Sequence, residues 1–183
     1  YYHVLGNYYN NKEKNNNSIT YFKKAIELNP EEVNYYYSLT TSYEEKKDYQ
    51  NALLIYDKLV EINPEESSIY YYRGLLFQNY LKNNESAEKD YFKALELNAN
   101  YSDVYIQLGL LYQLKENKKA LEYFKKAIEI DPETRNNYFP LINYYILLND
   151  FENAINLTKK TIESDPKDAD GYYKLSLIYL KQK

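Results

Sequence analysis

The residues able to do chemistry in this chain are few, and their spacing suits none of the common reactions. There is one histidine, His3, and no cysteine. That leaves no disulfide, no thiolate metal ligand and no cysteine nucleophile. No phosphate-cradling glycine loop, dinucleotide turn or metal-spaced cluster of His, Asp and Glu occurs. Carboxylates come in adjacent pairs, Glu31-Glu32, Glu44-Glu45 and Glu65-Glu66. Neighbours in sequence point in different directions on a helix, so such pairs suit solvation and helix-start electrostatics better than acid/base work. His3 reads more readily as a packed or solvated residue than as a functional contact, with Asn7 one turn on along the same face. The expectation is a protein without catalytic residues, metal or cofactor.

What positions these residues is a repeat. A thirteen-residue phrase begins at Ser18 (SITYFKKAIELNP) and returns at Ala52, Ala87, Ala120 and Ala154, spacings of 34, 35, 33 and 34 residues. A period in this range marks a stacked-repeat architecture, in which each unit buries its apolar face only against its neighbours. Before each phrase lies a second segment, starting at Tyr2, Tyr36, Tyr70, Tyr105 and Tyr138, with a sixth at Tyr172. In the fourth unit Tyr105, Leu108 and Tyr112 recur at helical steps, as do Ala120, Phe124 and Ala127 in the phrase after them. The spacing predicts two helices per unit, A and B, each of about 12 to 14 residues. Asn29-Pro30, Asn63-Pro64, Asp131-Pro132 and Asp165-Pro166 end the B helices, because a proline disfavours helical geometry in the residue before it. The third unit has Asn98-Ala99 instead, a junction expected to be less sharply fixed, with Asn98 free to turn left-handed. Length variation falls in the Asn/Lys-rich A–B turns, as it should where insertions cost little.

Composition narrows the class. The chain is 44% hydrophobic and 27% charged, as folded soluble domains are, and no apolar run reaches the length of a bilayer span. A net charge of −4 argues against nucleic acid, whose binders usually carry a basic face. The 26 tyrosines read equally well as compositional drift on a tolerant scaffold or as selection for aromatic recognition. The chain starts at Tyr1 without a signal-peptide pattern, which reads as a piece of a longer protein; the cytoplasm is the favoured compartment.

The pattern Tyr105, Leu108, Gly109, Tyr112, Ala120, Phe124, Ala127, Pro132 resembles the tetratricopeptide repeat family. Tyr2, Leu5, Gly6, Tyr9, Ser18, Phe22, Ala25 and Pro30 repeat it in the first unit. Small residues at Gly109 and Ala120 let A and B approach closely, and Ala127 lets the next A helix pack on B. The second unit departs with Thr40 and Leu59 at small sites, and the third with Arg73 where Leu is usual. The fifth departs most: Ile142 replaces the small residue, Thr158 the aromatic and Thr161 the alanine, and Pro140 sits inside helix A. RNA-binding pentatricopeptide repeats are the nearest rival, but they lack the regular Asp/Asn-Pro ending, and an acidic chain suits RNA poorly.

The resemblance implies an all-α fold, a right-handed α-solenoid of antiparallel helix pairs. One repeat domain covers residues 1–183, with pairs at 1–32, 33–66, 67–101, 102–134 and 135–168 and a final helix at 169–183. It further implies a non-catalytic interaction scaffold whose A helices line a concave groove for a peptide or helix. Counting along each A helix gives a lining of His3, Asn7, Tyr37, Thr41, Tyr71, Leu75, Gln78, Ile106, Leu110, Gln113, Phe139, Asn143, Tyr173 and Leu177, with Asn10, Glu44, Ile146 and Leu180 continuing the count on their helices. The lining grades from polar to apolar, so a ligand is expected to engage the later units mainly through apolar contacts. The Lys/Arg clamp for a C-terminal carboxylate known in chaperone adaptors of this family is missing. Two further readings stay open: a substrate-recruiting segment of a larger enzyme, and a regulatory domain that senses a peptide. The sixth A helix carries Tyr172, Leu175, Ile178 and Tyr179 along a stripe that a B helix covers in earlier units, with Leu177 and Leu180 beside it and Lys174, Lys181 and Lys183 as its charges. Self-association through this helix is expected unless further repeats follow.

Overall fold

The structure, a computed structural model, describes residues 1–12 and 14–182. Glu13, in the first A–B turn, and Lys183, counted above among the last helix's charges, lie outside the described residues. The described chain is all helical. The A helices are α1 (Tyr2–Asn10), α3 (Val33–Glu45), α5 (Ser67–Asn79), α7 (Ser102–Tyr112), α9 (Tyr138–Leu147) and α11 (Ala169–Lys181). The B helices are α2 (Asn15–Leu28), α4 (Tyr49–Ile62), α6 (Asn84–Leu97), α8 (Asn117–Ile130) and α10 (Phe151–Ser164). Two compact units result, Tyr1–Asn98 and Ala99 onward. In the first, α1 to α6 pack each on the next; in the second, α7 to α11 do the same.

Every B helix is 14 residues long, as expected, but the A helices range from 9 residues in α1 to 13 in α3, α5 and α11. Three of the five B helices are bounded chemically at both ends. Asp48, Asn83 and Asp150 cap α4, α6 and α10 by accepting from the third backbone N–H of each helix. At the other end Asn29, Asn63, Asp131 and Asp165 are extended, with φ between −146° and −135°. Asn98 shares that geometry at φ −141° and is not left-handed. The left-handed residues are Lys47, Lys82 and Asn149, all in A–B turns.

The A helices begin on a second device. The phenol of Tyr36 donates to the Pro30 carbonyl at 2.9 Å, Tyr70 to Pro64 at 3.0 Å and Tyr138 to Pro132 at 2.9 Å. Tyr105 reaches the Ala99 carbonyl at 3.3 Å. The bonds of Tyr36, Tyr70 and Tyr138 tie the first turn of helix A to the end of the preceding B helix, and each satisfies a carbonyl that no helix can. Tyr21 of α2 adds a stack on Tyr9, ring centres 5.3 Å apart. These tyrosines have structural work, which answers part of the compositional question. Glu32 and Glu66, second members of two carboxylate pairs, cap α3 and α5, as helix-start electrostatics predicts.

Inside the first, third and fourth pairs the small-residue rule holds to the atom. A Cβ on Gly6 would lie 2.3 Å from the Phe22 ring, on Gly74 2.5 Å from Tyr91, and on Gly109 2.4 Å from Phe124. In the fifth pair the sizes are exchanged: Ile142 and Thr158, at the same register positions, are both fully buried. Pro140 is accommodated because α9 starts only at Tyr138, after a single 3-10 turn over Arg135–Asn137. The proline thereby falls in the first helical turn, where an N–H is not needed. Buried Asn137 holds that turn by donating to the Asp131 carbonyl at 2.8 Å. Arg73 stands where leucine is usual because it reaches across two helices. Its guanidinium donates twice to the buried carboxylate of Asp90 in α6, at 2.8 and 2.7 Å, and once to Asp57 in α4.

Candidate functional site

The A-helix face of the first unit holds a cavity on which polar and aromatic side chains of three helices converge. Its volume is about 490 Å³, and it lies between α3 and α5 over a residue of α4. Tyr37, Thr40, Thr41 and Glu44 come from α3, Ser68 and Tyr72 from α5, and Tyr56 from α4. Residues 37, 41 and 44 share one face of α3 because they are spaced by four and three.

Tyr37 bridges the two A helices. Its hydroxyl is 3.0 Å from the Ser68 hydroxyl, and its ring meets Tyr72 edge to face with centres 6.1 Å apart. Thr41 donates to the Tyr37 carbonyl at 3.0 Å. At the far end Glu44 is half-buried, and its Oε1 accepts from the Tyr56 phenol at 3.2 Å. Among the described residues Glu44 forms no ion pair, and Oε2 has no hydrogen-bond partner. Burial holds the Glu44 carboxyl above its ordinary value of 4.5, with the Tyr56 hydrogen bond working the other way. The Tyr56 phenol is pushed far up by burial first and by the Glu44 charge second. Tyr37 is raised by burial, Ser68 opposing and the Glu66 charge adding.

The other expected lining residues fall into three groups. Some are held by packing. His3 sits 2.9 Å from the Ser38 hydroxyl with its ring against Phe22 and Tyr35, a packed histidine joining α1, α2 and α3. Tyr71 leans on Tyr91 beside Gly74, and the Tyr91 phenol donates to Gln78 at 2.6 Å. Ile106 is buried in the second unit, which leaves Leu110 and Gln113 half-exposed on that helix, as Leu75 is on α5. Others are engaged by charge. Lys174 lies 4.7 Å above the Phe139 ring and donates to Asn143 at 3.2 Å, while the Arg135 guanidinium lies 5.2 Å from the same ring. Arg135 is itself anchored on Asp168, the cap of α11. Asn7, Tyr173 and Leu177 are exposed.

The cavity therefore joins Tyr37 and Thr41 with Glu44, and adds Ser68, Tyr72 and Tyr56, which counting along helix A does not reach. On α5 the count selects 71, 75 and 78, whereas the cavity takes 68 and 72, the neighbouring strip of the same helix. Tyr56 belongs to a B helix and lines the cavity beside Thr40, which stands where the first, third and fourth units have glycine. Among the described residues no group of three or more His, Asp or Glu is placed to hold a metal ion. No helix among them is long and apolar enough to cross a membrane.

A family model described as tetratricopeptide repeat matches residues 1–32, 33–66 and 102–134. The chain belongs to the tetratricopeptide repeat family. Curated protein sequences yield no match. Among solved structures, MamA aligns at TM-score 0.72 and 25% identity over 91% of this chain and 97% of its own. A tetratricopeptide repeat protein from Parabacteroides merdae ATCC 43184 aligns at TM-score 0.77 and 20% identity over 98% of this chain and 73% of its own. YrrB, described as a TPR protein with an unusual peptide-binding site, aligns at TM-score 0.64 and 21% identity over 94% and 89%. The tetratricopeptide assignment fits the fold: paired helices, glycine under an aromatic ring, and proline at the unit boundary. It is the fold of an all-α solenoid and of protein-interaction scaffolds.

Proposed function

We propose that this tetratricopeptide chain is a non-catalytic scaffold that holds an extended peptide across its A helices, with the α3–α5 cavity as the anchoring point. The observation that carries this reading is the cavity itself. Three tyrosines, the three hydroxyls of Thr40, Thr41 and Ser68, and one carboxylate converge on a space large enough for a side chain and its backbone. Aromatic rings give contact area at low entropic cost, and the hydroxyls offer both donors and acceptors to a peptide backbone. Leu75 of the same unit supplies half-exposed apolar surface for a further side chain of such a ligand. YrrB, with its peptide-binding site, lends the reading support by likeness of fold.

The test selects peptides from a displayed random library against the intact chain and maps them by hydrogen exchange. Selected peptides should protect α3 and α5, and Tyr37→Ala should weaken them about tenfold or more, as loss of a buried aromatic anchor does. Protection confined to the outer faces of α4 and α8, with Tyr37→Ala silent, would remove the groove reading.

We also propose that α11 carries a self-association surface. Tyr172, Tyr173, Leu177, Tyr179 and Leu180 are all exposed on this helix. A contiguous run of this size is unusual for a surface without a partner.

A further inference from the structure

The α3–α5 cavity has the composition of a cation site. We infer that it takes the cationic side chain of a peptide ligand, a lysine or an arginine, seated against Glu44 and walled by Tyr37 and Tyr72. This rests on the groove reading above and names the residue class that the groove selects.

Charge is the first reason. Glu44 is the one ionisable carboxylate lining the cavity, and no lysine or arginine lines it. The basic residue closest in sequence to Tyr72, Arg73, is turned away and fully engaged by Asp90 and Asp57. A half-buried carboxylate with one oxygen unengaged is an incomplete pair, and a ligand ammonium or guanidinium completes it with a charge-assisted hydrogen bond. Glu66, whose charge reaches Tyr37, adds to the negative field at the other end. The carboxylate also keeps an anionic or apolar side chain out, because burying Glu44 further without a partner costs more than the contact returns.

The walls are the second reason. Tyr37 and Tyr72 stand edge to face, which leaves ring surface turned toward the space between α3 and α5. A cation over an aromatic face is attracted by the ring quadrupole, and the attraction grows when water is excluded. Tyr56 donates its proton to Glu44 Oε1, which fixes the carboxylate and leaves Oε2 for the ligand. Two tyrosine walls, a fixed carboxylate and no competing internal cation therefore act on one class of side chain.

The experiment titrates the intact chain with blocked Gly-Ser host peptides that differ only at one central residue: lysine, trimethyl-lysine, arginine, norleucine or glutamate. Backbone amide NMR shifts report the binding. The lysine or arginine peptide should move residues of α3 and α5 at tenfold lower concentration than norleucine, with glutamate weakest. Trimethyl-lysine separates the contributions: loss on trimethylation assigns the grip to Glu44, and retention assigns it to the tyrosine walls as well. Glu44→Gln, which keeps an acceptor for Tyr56, should erase the preference for lysine over norleucine, and its unchanged amide spectrum elsewhere checks the fold. Norleucine binding as well as lysine at the same α3 and α5 amides would overturn the cation inference while leaving the groove intact. No peptide moving α3 or α5 would overturn both.

Discussion

Glu44 shows how one side chain can be stable and still under tension. Burial raises its carboxyl above 4.5, so the folded state binds a proton more readily than the unfolded chain does. For a carboxyl raised in this way, the native state gains from protonation. Stability is therefore greatest below the unfolded value and is lost as pH rises through the window that starts near 4.5 and extends upward. Glu44→Gln removes that loss while keeping the Tyr56 bond. The variant should melt at the same temperature as the wild type near pH 4 and at a higher one near pH 7, read by thermal unfolding at each pH. An equal gap at both would mean that Glu44 titrates like an exposed residue. The spacing of residues 37, 41 and 44 put Glu44 on one face of α3 with Tyr37 and Thr41, but its pair with Tyr56 was not legible, since it depends on a side chain from a B helix. The glutamates at the helix starts were legible, because capping is local.

At the scale of the helix pair, fit is decided by what lies opposite the small residue. Gly109 faces the Phe124 ring so closely that even a methyl would sit 2.4 Å from it, whereas Ile142 is tolerated at the equivalent site because Thr158 stands where the ring would be. Gly109→Leu should therefore cost about 1 to 3 kcal/mol or more by overpacking, while Lys125→Leu on the outer face of α8 should change stability little. Thermal midpoints compare them directly; equal values would refute the register of α7 against α8. The B helices were legible in full because each carries its own stop in an Asn or Asp before the boundary, and three carry a capping side chain as well. The A helices were legible in face but not in length. Their apolar stripe fixes which side is buried, while α9 is shortened by a buried Asn137 bonded across its own entry turn. The exchange of sizes at Ile142 and Thr158 was visible as a departure from the pattern, and only the packed pair shows it to be compensated.

For the molecule as a whole, the open question is what meets α11. Tyr36 of α3 is 5% exposed, and Tyr70 of α5 and Tyr138 of α9 are each 6% exposed, yet Tyr172, at the same repeat position in α11, is 52% exposed. Ile178 is fully buried against the second unit, so α11 is docked on its inner side while its outer side shows tyrosine and leucine to solvent. Apolar area returns roughly 25 cal/mol per Å² when covered, so a few hundred Å² shared between two copies offsets much of the entropy of pairing at high concentration. Both copies offer the same face, which makes a two-fold, self-complementary contact the natural arrangement. Tyrosine suits it, since each ring buries its body and keeps its hydroxyl at the wet edge. Sedimentation over a wide concentration range should show reversible dimerisation of this chain. Leu177→Lys should abolish it without moving the thermal midpoint, because Leu177 lies on the exposed side, 39% open. Leu54→Lys on the solvent side of α4, 64% open, should leave it unchanged. A sedimentation coefficient that stays at the monomer value up to millimolar concentration would remove the self-association proposal and leave the exposed face of α11 for a different protein to cover.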